Sequence, residues 1–117
     1  MKLLLVHGNQ ALLNFYAKVL GSREHEVLYY SNVHATLGAT ARELDLDTIE
    51  AAIIGTSIPD NDLCYTLLRV LGARAPNVRI IVVSGSESDF TRKLRSEGFK
   101  VLIGAKAEQL EEEITAR

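Results

Sequence analysis

A spacing constrains this chain more than any single residue does. Five short apolar runs recur, at Lys2 to Val6, Glu26 to Tyr30, Ala51 to Gly55, Arg79 to Val83 and Lys100 to Ile103, and a segment of helical period follows each. A strand covered on both faces reads as a continuous apolar run rather than an alternating one. Strict strand–helix alternation closes as a parallel sheet with right-handed crossovers and helices on both faces. Within 117 residues, five strands favour the order 2-1-3-4-5 over a six-stranded dinucleotide fold. The expectation is one α/β domain over residues 1–117, a three-layer (βα)5 sandwich.

The helical segments carry their own punctuation. Asn9 suits an N-cap, and Leu12, Leu13, Tyr16, Val19 and Leu20 form an apolar stripe that Gly21 should end. A weaker helix is expected from Ser31 or Asn32 to about Glu43, with Val33, Leu37 and Ala41 on one face and Gly38, Thr36 and Thr40 working against it. Asp45 to Asp47 reads as a surface loop. After Pro59, one of Asp60, Asn61 or Asp62 caps a strong helix bearing Leu63, Leu67, Leu68, Val70 and Leu71, closed by Gly72 and Pro76. The segment Ser88 to Glu97 has only Phe90 and Leu94 clearly apolar before Gly98 stops it, so it should be the most mobile element. Ala107 to Thr115 points Leu110 and Ile114 inward.

Composition removes several function classes. A net charge of −2 lacks the basic footprint that direct nucleic-acid binding asks for. No apolar run approaches a membrane span. The run from Met1 to Val6 stops at His7-Gly8-Asn9, too short for a signal-peptide core. One cysteine, Cys64, excludes an intrachain disulfide and a multi-thiolate metal site, and it reads as a small buried hydrophobe rather than a reactive thiol. A cytoplasmic protein fits best.

With these elements in place, the chain resembles the receiver domain of bacterial two-component response regulators, the CheY-like version of the flavodoxin fold. The resemblance rests on the five β-α units and on Leu3-Leu4-Leu5-Val6. It rests further on Ile53-Ile54-Gly55-Thr56-Ser57-Ile58-Pro59 and on Val82-Val83-Ser84-Gly85. It implies a signalling module. Receivers phosphorylate an aspartate after the third strand, hold Mg²⁺ with an acidic pair after the first, and contact the phosphoryl group with a Ser or Thr after the fourth and a Lys after the fifth. In this chain the phosphoacceptor position falls on Gly55, the acidic pair on His7 and Gly8, and the lysine on Gly104; only the hydroxyl survives, as Ser84.

Phosphoryl transfer needs an oxygen nucleophile, a hard cation needs oxygen ligands, and a phosphoryl group needs a balancing charge. The expectation is therefore a pseudo-receiver with a degenerate pocket at His7, Gly8, Gly55, Ser84 and Gly104, no catalytic residue, no metal and no cofactor. Thr56, Ser57, Asp60 and Asp62 offer a rebuilt site, against which stands routine loop polarity and capping. His7 reads as a structural residue at a strand end, with a pH sensor as the sharper alternative. His25 and His34 read as surface residues. Ser84 to Ser88 reads as a turn and cap, with anion binding at a helix N-terminus as the alternative.

Function then moves to the outside. Arg92, Lys93 and Arg95 contrast with Glu108, Glu111, Glu112 and Glu113. In the resembling family, the face made by the fourth helix, fifth strand and fifth helix is the usual dimer and effector surface. Here that gives Arg92, Lys93, Arg95, Lys106, Glu111 and Glu112 as an interaction face for a protein partner or a second copy. The second reading is a small-ligand sensor using the emptied pocket near Gly8, Gly55, Ser84 and Gly104. A flavodoxin-like enzyme is the third, without a nucleophile–base pair to support it.

Overall fold

A computed structural model describes residues 1–31, 36, 38, 45–56 and 61–115. Five parallel strands, β1 (Lys2–Val6), β2 (Glu26–Tyr30), β3 (Ala51–Gly55), β4 (Arg79–Ser84) and β5 (Lys100–Ile103), form one sheet in the order β2-β1-β3-β4-β5. Among the described residues four α-helices pack on it: α1 (Gln10–Ser22), α2 (Asn61–Arg74), α3 (Asp89–Ser96) and α4 (Ala107–Thr115). The expected helix after β2, with Val33, His34, Leu37 and Ala41, lies outside the described residues apart from Thr36 and Gly38, which are helical. The strand order 2-1-3-4-5 read from the alternation is the order observed.

Period-2 alternation divides the core into two halves. Leu4, Val6, Ala52, Ile54 and Val82 face Cys64, Leu67, Leu68 and Leu71 of α2 and Leu94 of α3. Leu3, Leu5, Ala51, Ile53, Ile81 and Val83 face Leu13, Tyr16 and Leu20 of α1 and Leu110 and Ile114 of α4. The central strands are buried on both sides, which is why they lack a polar face. Each such Leu or Ile contributes roughly 1.5–3 kcal/mol through its burial.

Several helix details differ from the sequence expectation. Asn9 does cap α1, its side chain accepting from the Leu12 amide. The helix then runs through Gly21 to Ser22, and the left-handed residue beyond it is Glu24, at φ 69°. Gly72 likewise lies inside α2, which continues to Arg74. In both cases the helix continues past its glycine, each of which lies on an exposed helix surface; a glycine there costs only about 1 kcal/mol. Leu12 belongs to the apolar stripe by spacing yet is 40% exposed, and Phe15 is 52% exposed. The acidic loop holds a 3-10 turn, Leu46–Thr48, capped by Asp45 and burying Leu46. On α3, Ser88 and Thr91 form a reciprocal capping box, and the buried residues are Thr91 and Leu94.

Candidate functional site

The register of β1 on β3 builds the site. Val6 pairs with Ile54, so the next residue of each strand, His7 and Gly55, come side by side. Both continue the odd-numbered series that faces α1 and α4. The His7 backbone amide extends the ladder to the Tyr30 carbonyl at 3.2 Å. Its imidazole is 4% exposed.

That ring occupies the space a side chain on Gly55 would need. A Cβ at residue 55 would stand 2.5 Å from His7 Cδ2, 2.8 Å from Cγ and 2.9 Å from Nε2. Carbon atoms in contact are about 3.5–4.0 Å apart, so the two positions are interlocked: the ring requires the glycine. The ring is itself fixed. Nδ1 accepts from the Asn9 amide at 3.0 Å, and the Tyr16 ring stands 6.1 Å away, tilted by 57°. An accepting Nδ1 assigns the neutral proton to Nε2. Burial lowers the His7 pKa from its ordinary value near 6.5, so the imidazole is neutral at pH 7.

The other predicted pocket residues gather around this pair. Gly104 is held in the left-handed region at φ 61°, where a lysine would be strained. Its amide donates to the Ser84 carbonyl at 2.8 Å. The Ser84 hydroxyl donates to the Ser86 carbonyl at 2.9 Å. Gly8 is exposed at a bend. His7, Ser84 and Gly104 share the wall of a cavity of about 210 Å³, together with Leu12, Tyr16, Val83, Gly85 and Ala105. The Tyr16 hydroxyl closes one side by donating to the Ala105 carbonyl at 2.9 Å, and burial raises its pKa.

This donor set does not fit a hard divalent cation. Mg²⁺ wants oxygen ligands, usually carboxylates, whereas the strand ends offer a neutral imidazole, three glycines and one serine already committed to a turn. Among the described residues, no group of three or more His, Cys, Asp or Glu is placed to hold a metal ion. Of the alternative rebuilt site, the Thr56 amide donates to Val83 in the sheet, Asp62 lies exposed on the first turn of α2, and Ser57 and Asp60 lie outside the described residues. The Ser84–Ser88 loop is a cap: the Ser88 amide donates to Thr91 Oγ1 at 2.8 Å. The Thr91 hydroxyl in turn donates to the Glu87 carboxylate. That bond, with Arg95 second, lowers the Glu87 pKa, and an anionic carboxylate there disfavours a second anion.

The outer face proves partly self-neutralised. Arg92 pairs with Asp89, and Arg95 with Glu87. Arg95 also donates to the Val101 carbonyl at 3.3 Å, tying α3 to β5. Lys93 Nζ lies 4.5 Å from the Tyr65 ring centroid. Glu111 turns away from this face: it accepts from His25 Nε2 at 2.7 Å. His25 is therefore no loose surface residue, since its side chain is 8% exposed. Lys106 and Glu112 are exposed. Cys64 is fully buried, and burial raises its pKa to about 11. Among the described residues, no helix is long and apolar enough to cross a membrane.

Two features escaped the sequence reading. The His7–Gly55 interlock could have been found from the strand order, because a ring gained and a side chain lost at neighbouring strand ends is a compensating pair. The exposed Leu12 and Phe15 of α1 gave no signal, since spacing places Leu12 in the stripe.

No family model and no curated protein matches the chain. Solved structures do. A CheY-like response regulator receiver domain protein from Methanospirillum hungatei JF-1 is 20% identical, with a TM-score of 0.77 over 97% of this chain and 89% of that one. A response regulator receiver domain protein from Clostridium thermocellum is 21% identical, with a TM-score of 0.78 over 97% and 90%. A Burkholderia pseudomallei response regulator, solved with a phosphorylated aspartic acid, a calcium ion and citrate, is 19% identical, with a TM-score of 0.79 over 98% of this chain and 66% of that one. Identities this low speak for architecture: the chain has the fold of the response-regulator receiver domains.

Proposed function

We propose that this chain is a non-enzymatic, phosphorylation-independent signalling module of receiver type, a pseudo-receiver that acts by binding a protein partner or a second copy of itself. The reading rests on one observation above the others. The His7 ring fills the space next to Gly55 into which a phosphoaccepting side chain would project. A site with no nucleophile at residue 55, no carboxylate pair at residues 7 and 8, and no lysine at residue 104 has no ordinary route to an aspartyl phosphate.

The output surface is then the face of α3, β5 and α4. Arg92, Lys93, Lys106 and Glu112 are exposed at its rim, Arg92 and Lys93 with local pairings to Asp89 and Tyr65, while Arg95 ties the helix to the strand within the face. A two-fold arrangement would set the basic edge of one copy against the acidic edge of its mate. The test is incubation with acetyl phosphate and Mg²⁺ followed by intact-mass measurement. The expected result is an unmodified chain. A stoichiometric, hydroxylamine-sensitive phosphoryl adduct would overturn the reading.

A further inference from the structure

We propose that the cavity between α1 and the ends of β4 and β5 binds a small neutral molecule, an aromatic alcohol by chemical class. This goes beyond partner binding through the outer face and does not depend on it. The sequence pointed to an emptied pocket spread over residues 8, 55, 84 and 104. The structure divides that space in two. The half beside Gly55 is filled by His7. The half beside Ser84 and Gly104 remains as the cavity of about 210 Å³.

The wall is apolar, from Leu12, Tyr16, Val83 and Ala105. Among the described residues, none that lines it carries a formal charge while His7 is neutral. A charged ligand would lose its hydration there without a partner. One polar group suits a specific contact: the Ser84 hydroxyl donates to Ser86, which leaves its own lone pairs to accept from a ligand hydroxyl. The rings of His7 and Tyr16, tilted by 57°, both border the space, and aromatic rings favour such tilted contacts. At an interior packing density of about 0.75, the volume suits roughly ten non-hydrogen atoms. The position agrees with the general rule that open α/β sheets bind ligands outside the carboxyl ends of their strands. Leu12, Tyr16 and Ala105 also border a neighbouring groove of about 320 Å³ that reaches the exposed Phe15, so the two spaces share a wall.

The probe is 2-naphthol, titrated into the full chain and followed by ¹H–¹⁵N spectra. Saturating shifts are expected at Gly85, Gly104 and Ala105, with half-saturation below about 1 mM. The anionic 2-naphthoate should give none. Two variants block the site without touching the core. A Cβ added at Gly85 meets nothing within 4 Å and Gly85 lines the cavity, so Gly85→Leu should fold and weaken binding at least about tenfold by filling the space. Leu12→Glu places a carboxylate on the wall from a side chain that is already 40% exposed, and should weaken it likewise. Lack of saturation, equal binding of 2-naphthoate, shifts centred elsewhere, or unchanged binding in both folded variants would each overturn the proposal.

Discussion

Replacing Gly55 with alanine puts a methyl group where His7 already stands. The new Cβ would lie 2.5–2.9 Å from three ring atoms, about 1 Å inside normal contact. The ring is hemmed by its bond to the Asn9 amide and by Tyr16, so relief means breaking that bond or shifting β1 against β3. Overpacking of this kind costs about 1–3 kcal/mol. Alanine recovers about 0.5–1 kcal/mol of backbone entropy over glycine in a strand, so the net loss should be about 1–2 kcal/mol. His7→Ala alone should cost about 1–3 kcal/mol, from lost packing and an amide deprived of its acceptor. Together the changes should cost less than their sum by about 1 kcal/mol or more, because the methyl then enters space the ring has left. Urea unfolding followed by far-UV circular dichroism reads this cycle, with midpoint shifts of about 1 M for the Gly55 variant. Strict additivity, or a Gly55→Ala protein as stable as the parent, would refute the interlock.

Two further outcomes follow from burial. His7 has a folded-state pKa lowered from 6.5 by desolvation, so the unfolded chain binds more protons in the interval below pH 6.5. The stability associated with neutral His7 is fully present above about pH 6.5 and is lost as the pH falls towards the folded value; the slope of urea midpoint against pH should flatten in His7→Ala, and an unchanged slope would contradict the assignment. Cys64 is 0% exposed with its pKa raised to about 11, so a thiol reagent at pH 8 should modify it no faster than the chain opens; rapid labelling of the folded protein would show the α2 packing to be wrong.

Most of the fold was legible in the sequence because burial on both faces leaves an unbroken apolar run. The bounds of β1 and β3 follow from such runs alone, whereas the edge strands β2 and β5 are only half-buried and show as short apolar stretches between turn residues. Helix ends were less legible. Gly21 and Gly72 look like terminators, but an exposed glycine weakens a helix without ending it, and at α1 the left-handed turn was taken by Glu24. The site was legible as a set of missing groups and illegible as a geometry. Sequence shows that residue 55 lacks a side chain. The strand order put His7 beside it, and the pairing of Val6 with Ile54 and the ring contacts show that His7 has taken its place. Charge was read correctly as composition and incompletely as surface, since Glu111 belongs to His25 and Arg95 to Glu87 only after the chain has folded.

The central claim is that the receiver fold here has a strand-end pocket closed to phosphoryl chemistry by His7. Beryllofluoride with Mg²⁺ mimics an aspartyl phosphate and needs the carboxylate, the cation and the open cradle together. In ¹H–¹⁵N spectra the account predicts no saturable change at Gly8, Gly55, Thr56, Ser84 or Gly104 when both are added. A saturable, Mg²⁺-dependent shift centred on Gly55 and Ser84 would contradict it.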